Sequence, residues 1–398
     1  SAVGGADGLI LSKVKLETTL MKFEISATSL VLALGLGLLL APPAFAGGGA
    51  PANPGTYMGD FNGDGRTDVL VSNTVSRELY VYVTATGIPT TVNVFASQSA
   101  LLTTLPEGAS VQAVGDFNGD DRADILVQSG LNLVVLVNDA SVPAGNPVAL
   151  DPALTGWIGT PPAGWSVSGV GDANNDGLAD TYVHNTNGTV YVYITSLTEP
   201  DYADKPRGSA SLSGAPIALP DTWTVATVAD MNGDGLSDFT GQAPSAGGFS
   251  TLYTFISAVG GITVDGAASG SPAGVPDGYG CCAAGLTSDA ATSSSFVVID
   301  ESGGATDGLL YVFVTDATGV AVDAGASTNS VTLPTNWGVE GLADFNNDGI
   351  VDTVAVEDGS GSMIVYLNSG PGTVSATPFM TNVPTDWEVA NFTGMSAN

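Results

Sequence analysis

The phrase GDFNGDGRTD, residues 59–68, returns four more times: GDFNGDDRAD at 115–124, GDANNDGLAD at 171–180, ADMNGDGLSD at 229–238 and ADFNNDGIVD at 343–352. Its opening aspartates, Asp60, Asp116, Asp172, Asp230 and Asp344, are separated by 56, 56, 58 and 114 residues. The last gap is twice the period. A further copy is therefore expected near Leu286, where Gly285-Leu286-Thr287-Ser288-Asp289 has lost nearly all the acidic positions. A second phrase supports that frame, because Pro106, Pro162, Pro220, Pro276 and Pro334 each stand ten residues ahead of a loop's first position. Pro384-Thr385-Asp386-Trp387 opens one more copy before the chain reaches Asn398.

Between these phrases the pattern is that of strands. Each loop runs into a short apolar segment such as Val69-Leu70-Val71 or Ile125-Leu126-Val127, followed by an alternating aromatic strand such as Leu79-Tyr80-Val81-Tyr82-Val83 or Val190-Tyr191-Val192-Tyr193-Ile194. A weaker run, for example Ile217-Ala218-Leu219, precedes the Pro phrase. Four short strands per module match one propeller blade. One small sheet cannot bury both faces alone, but sheets stacked around an axis cover each other and shield their edges. The expected fold is all-β, a propeller of four-stranded blades occupying residues 55–398 as six modules plus a terminal strand. Six blades are expected rather than seven, the alternative being truncation within a seventh. A parallel β-helix is the rival, but its repeats are usually shorter.

Each loop offers Asp at positions one, five and nine, Asn at three and a backbone carbonyl at seven, hard oxygen donors of the kind Ca2+ favours. The sets are Asp60, Asn62, Asp64, Arg66 and Asp68; Asp116, Asn118, Asp120, Arg122 and Asp124; Asp172, Asn174, Asp176, Leu178 and Asp180; Asp230, Asn232, Asp234, Leu236 and Asp238; and Asp344, Asn346, Asp348, Ile350 and Asp352. About five Ca2+ sites are expected. A solvated turn without metal is the alternative, yet three carboxylates within nine residues repel one another unless a cation neutralises them. An EF-hand is excluded, since Val71 stands where position twelve would need Glu. Asp121 replaces the position-six Gly, which should weaken the second site, whereas Asn175 and Asn347 at position four should be milder changes.

Strand, D-x-N-x-D-G-x-x-D, strand, at this period, resembles the FG-GAP and VCBS repeats of integrin α-subunit-like β-propellers and their exported bacterial relatives. The resemblance covers roughly residues 55 to 398. It implies a propeller with Ca2+ held in loops between the first and second strands of blades, but no single activity, since relatives include adhesion proteins, lectin-like modules and some polysaccharide lyases.

The chain has 398 residues and a formal net charge of -32, a balance unsuited to nucleic acid, whose binding needs a basic face. Residues 21–46 have the layout of a signal peptide: Lys22, the apolar stretch Leu30 to Leu40, and the small-residue pattern Ala44-Phe45-Ala46. That stretch is about half of the roughly 20 residues that a membrane span requires. Residues 1–20 read as an upstream extension and 47–54 as a linker. A secreted or cell-surface location follows, with no membrane span in the mature form. Cys281 and Cys282 are adjacent, which leaves a strained vicinal disulfide or two free thiols.

His184 is the only histidine, so His-based triads and paired-His metal centres are excluded, and its expected role is structural. No catalytic residue or organic cofactor site stands out. Lys205 and Arg207 form the one clustered basic pair, read as a solvated loop. Trp165, Trp223, Trp337, Trp387 and Tyr279 recur at one module position and are expected between blades, whereas Trp157 lies outside the repeat and is the candidate ligand-facing ring. The expected function is binding of an extracellular glycan or protein. A secreted polysaccharide lyase or glycosidase and a subunit of a surface assembly are the alternatives.

Overall fold

The computed structural model describes residues 58–396, apart from 86–95, 144, 200–204, 221, 244–248, 259–261, 272–273, 277–278, 287–293, 301–308, 317, 322–327, 335–336, 348–351, 358–361, 369–373, 381–386 and 390–394. The extension, signal-peptide and linker assignments over residues 1–54 lie outside the described residues.

The first blade comprises β1 (Met58–Gly59), β2 (Asp68–Asn73), β3 (Glu78–Tyr82) and β4 (Ala100–Thr104), and the second β5 (Ala109–Gly115), β6 (Asp124–Ser129), β7 (Asn132–Leu136) and β8 (Gly156–Gly159). The third has β9 (Trp165–Gly171), β10 (Asp180–Asn185), β11 (Thr189–Tyr193) and β14 (Gly214–Ala218), with β12 (Thr195–Ser196) and β13 (Arg207–Gly208) inserted before its last strand. The fourth has β15 (Thr224–Ala229), β16 (Asp238–Gln242), β17 (Phe249–Phe255) and β18 (Gly274–Pro276). A sheet of β19 (Tyr279–Leu286), β20 (Ser294–Asp300), β21 (Leu309–Val314) and β22 (Thr328–Thr332) follows. The last blade has β23 (Trp337–Ala343), β24 (Asp352–Glu357), β25 (Met363–Asn368) and β26 (Val374–Met380), and the chain ends through β27 (Trp387–Val389) and β28 (Met395–Ser396).

The expected count of six or seven blades is corrected. Among the described residues five blades are built as the repeat prescribes, with three or four strands of their own module around an acidic loop. The β19–β22 sheet stands in the frame of the degenerate copy without that loop: Ser294 falls where the other modules carry their ninth-position aspartate. Uniform four-stranded sheets are corrected too. In the first blade β27 pairs with β2 at Val71 to Asn73, beyond the two residues that β1 covers, so β1 and β27 share the inner strand position. In the second, β13 runs parallel to β8 and β12 continues the sheet, because the insertion of the third module docks on its neighbour.

Position in the blade decides each strand's burial. β2, β6, β10 and β24 begin with four buried residues in succession, as expected of strands covered on both faces, while β3 and β11 alternate between buried and half-buried. The cores lie between sheets: Phe117, Leu126 and Ile158 of the second blade pack with Val183 of the third, and Tyr182 and Val192 of the third with Phe239 of the fourth. The first strands adjoin in turn, β1 beside β5, β5 beside β9, β9 beside β15, β15 beside β19, β19 beside β23, and β23 beside β1. The expected interblade rings lie there: Trp337 is buried, Trp165 and Trp223 are half-buried against these cores, and Trp387 meets Tyr80 edge-on at 6.2 Å. The side chain of Tyr279 lies outside the described residues.

Each described Pro phrase is a reverse turn. The Pro carbonyl accepts from the residue three further on, as in Trp165 N to Pro162 O at 3.2 Å and Trp223 N to Pro220 O at 3.1 Å. The third turn residue has positive φ, 75° at Gly108 and 85° at Gly164, but 78° at Thr222. A β-branched residue is strained there. Replacing Thr222 by Gly should therefore raise stability by about 1 kcal/mol, measured by urea unfolding. A loss of stability would contradict the strain.

Candidate metal centre

The four fully described loops share one hydrogen-bond pattern. In the first, Gly63 N and Asp64 N donate to Asp60 Oδ1 at 2.7 and 3.1 Å, and Gly65 N donates to Asp60 Oδ2 at 2.6 Å. Asp64 N donates to Asn62 Oδ1 and Arg66 N to Asp64 Oδ1, so the side chains at one, three and five organise the turn they sit in. Asn62 Nδ2 reaches Asp64 Oδ2 at 3.1 Å. The bonds from positions five and six recur around Asp116, Asp172 and Asp230, and the bond from position four around Asp116 and Asp230. Winding the backbone around the first carboxylate requires left-handed residues at positions four and six. Position six has φ of 81° at Gly65, 83° at Gly177 and 87° at Gly235, and Asp121 takes 61° while keeping its bond to Asp116 Oδ2 at 2.8 Å. Asn175 and Asn347 take 60° and 57° at position four.

The ninth-position aspartate behaves differently. Asp68, Asp124, Asp180, Asp238 and Asp352 are fully buried. Asp68 Oδ2 accepts Phe61 N at 2.9 Å and its Oδ1 accepts Thr84 N at 2.7 Å, tying the loop entrance to the end of the third strand. Asp124, Asp180 and Asp238 repeat both bonds, with Asn138, Thr195 and Ser257 in the place of Thr84. Burial pushes the carboxyls of Asp68, Asp124 and Asp180 up to about 8 and that of Asp238 to about 7, despite the paired N–H donors, and the other loop carboxylates push in the same direction. Burial likewise raises Asp60 and Asp116. These acids gain from any nearby cation.

The donor chemistry fits a hard cation. Ionised carboxylates offer about four acceptor sites each, and the backbone bonds leave part of that capacity unspent. Among the described residues, however, no three His, Cys, Asp or Glu side chains are gathered into a closed cage. The aspartates at one and five would have to draw together on an ion, with Asn at three and the position-seven carbonyl. In the fifth loop Asp344, Asn346 and Asp352 are described, and Phe345 N donates to Asp352 Oδ2 at 3.0 Å, whereas Asp348 and Ile350 lie outside the described residues. So do Thr287, Ser288 and Asp289 of the degenerate copy.

Residues 60–127 match the family described as FG-GAP-like repeat. The chain is a β-propeller in which residues 60–127 are similar to that family. Two solved structures resemble the propeller in shape. One is of an Agrocybe aegerita lectin, described by its recognition of non-reducing terminal N-acetylglucosamine: TM-score 0.48, 15% identity, 82% of this chain and 79% of that chain covered. The other is of a puromycin hydrolase: TM-score 0.43, 13% identity, 83% of this chain and 49% of that chain covered. No curated protein matches the sequence.

Sequence reasoning missed the partners of the ninth aspartate. Thr84 Oγ1 donates to Thr67 O, Thr195 Oγ1 to Ala179 O and Ser257 Oγ to Ser237 O, at 2.6, 2.6 and 2.7 Å, and Asn138 Nδ2 reaches Ala123 O. The signal was present as a small polar residue closing each alternating strand. His184 accepts or donates at Nδ1 to Ser168 Oγ at 2.7 Å, and burial lowers its pKa. Among the described residues no helix is long and apolar enough to cross a membrane. The register of β19 against β20 shifts between Cys281 and Ala283, which makes Cys282 the bulged residue.

Replacing Asp180 by Ala leaves Ala173 N and Thr195 N buried without acceptors, for an expected loss of about 2–5 kcal/mol by urea unfolding. Asp176→Ala, in the exposed part of the same loop, should cost less than about 1 kcal/mol in chelator. Equal losses would refute the separate role of position nine.

Proposed function

We propose that this propeller is an exported binding module for an extracellular glycan or protein, with Ca2+ stapling its acidic loops. The observation that carries the calcium reading is the repetition of one donor arrangement at loops of successive blades, each with carboxylates at positions one and five organising the same left-handed turn. The ions would be held by Asp60, Asn62, Asp64 and the Arg66 carbonyl, and by the matching residues of the other loops. The ninth aspartates would stand behind them as buried supports and complete the charge. Bound ions supply charge neutralisation and rigidity. Export rests on residues 21–46, and binding on the extended surface of a repeat fold whose loops are stiffened in place.

Stabilisation by a ligand that only the folded state holds rises by about 2.7 kcal/mol when the ligand is at a hundred times its dissociation constant. Melting the protein in chelator and in millimolar Ca2+ should show a midpoint higher in Ca2+ by more than about 5 °C. An unchanged midpoint removes the calcium staple. In calcium titrations Asp121→Gly should tighten the weakest class of sites, since Gly takes position-six geometry without strain. Incubation with a polysaccharide panel, followed for unsaturated products and reducing ends, should give no turnover; reproducible turnover would overturn the reading in favour of an enzyme.

A further inference from the structure

One side chain from outside the acidic loops reaches into the first of them. Gln98 Oε1 accepts Asn62 Nδ2, of the position-three residue, at 3.2 Å. Asn62 Nδ2 also donates to Asp64 Oδ2, and Asn62 Oδ1 accepts Asp64 N, so three bonds hold this amide in one orientation with its oxygen turned to the loop backbone. In the second, third and fourth loops the amides of Asn118, Asn174 and Asn232 keep only the two bonds to position five. Gln98 is set in place by the frame. Ser99 Oγ accepts Val83 N at 3.0 Å, just before Thr84 binds the buried Asp68, and Val148 N of the second module donates to Gln98 O at 3.0 Å. Ser213 and Ser269 repeat the serine's bond, to Ile194 N and Ile256 N, but the residues before them are Leu212 and Ala268. The repeat needs the serine and not the glutamine.

The first loop has a use for it. Position seven is arginine in the first two loops and Leu178, Leu236 or Ile350 in the others, so only the first loop has arginine both at its own position seven and at that of the following loop. Arg66 lies 3.9 Å from Asp64 Oδ2, and the Arg122 side chain packs over Gly63. Both guanidinium groups oppose a divalent cation. A ligand oxygen whose orientation is already held works the other way, because it loses less freedom when the ion binds. We infer that Gln98 is a positioning residue for the cation of the first loop: it fixes which end of the Asn62 amide faces the loop, and so maintains affinity against the two arginines. The inference rests on the calcium reading above and adds to that site a residue from outside the loop.

The test is calorimetric titration of the full chain with Ca2+, wild type against Gln98→Leu, with melting in chelator beside it. Gln98→Leu should weaken one equivalent of Ca2+ by about tenfold. The chelator midpoint should stay put, because the third module carries leucine at the same place. Gln98→Glu keeps an acceptor for Asn62 Nδ2 and should retain the affinity. In an Asp64→Asn background, where the first site is already disabled, Gln98→Leu should change the isotherm no further. An isotherm that Gln98→Leu leaves unchanged in the otherwise native chain, or a midpoint that falls equally in chelator and in Ca2+, overturns the positioning role while the calcium reading stands. A wild-type chain that takes up no Ca2+ overturns both.

Discussion

The fold depends on a buried carboxylate. At the ninth loop position an aspartate with no solvent exposure accepts one N–H from the loop's second residue and another from the end of the third strand. Those donors, Phe61 N and Thr84 N, lie just past the paired ends of the first and third strands, and they would be orphaned in an apolar interior without it. Three strands are thereby locked around one side chain. Burying a charge there is costly, which is why burial raises these carboxyls so far. The remaining loop acids set the same negative field, and a cation is the natural relief.

From this point the order spreads between blades. The residue just before the buried aspartate donates its N–H to the first-position carbonyl of the preceding loop: Ala123 to Asp60, Ala179 to Asp116 and Ser237 to Asp172, at 2.8, 2.6 and 2.6 Å. Thr67 donates to Asp344 at 2.9 Å, so the same bond links the last blade to the first. Close approach at this seam explains the glycine that opens the first three phrases, since a side chain at Gly59, Gly115 or Gly171 would crowd Ala123, Ala179 or Ser237. The loops at positions four and six also touch across the seam, with Asn175 against Gly235 and Asn347 against Gly65. An asparagine at position four is thus matched by a glycine at position six of the next loop. An acidic loop is therefore a joint between blades as much as a turn within one.

What was legible in the sequence was what repeats. The period, the loops, the alternating strands and the interblade tryptophans follow from local spacing, because each module solves the same packing problem. The blade count was not legible, since the segment around Leu286 keeps the frame while Ser294 stands in place of the buried carboxylate. Nor were the partners Thr84, Asn138, Thr195 and Ser257, whose chemistry varies while the bond they make stays constant. Hydrogen bonds to a carbonyl ask only for a short donor. The docking of β12 and β13 on the second blade was hidden for another reason: its register is set by a neighbour's outer edge, and no periodicity records that.

Repetition and departure from it carry different loads here. Residues fixed by the repeat are consumed by the frame: second-position side chains such as Phe61 and Phe117 are buried, ninth-position acids hold the loops, and the aromatic pairs Tyr80–Tyr82 and Tyr191–Tyr193 lie on strands packed against neighbouring cores. A side chain that every blade needs for packing cannot also distinguish one ligand from another. Positions that only one module has are free of that demand, and the insertion of the third module is one of them, reaching across to pair Arg207 with the exposed Trp157 of the second blade. Stiff joints on either side keep that insertion in register, because its landing strand belongs to a blade whose loop is bonded to both neighbours. Rigidity supplied by the acidic loops in this way reaches an edge that contains no acidic loop residue.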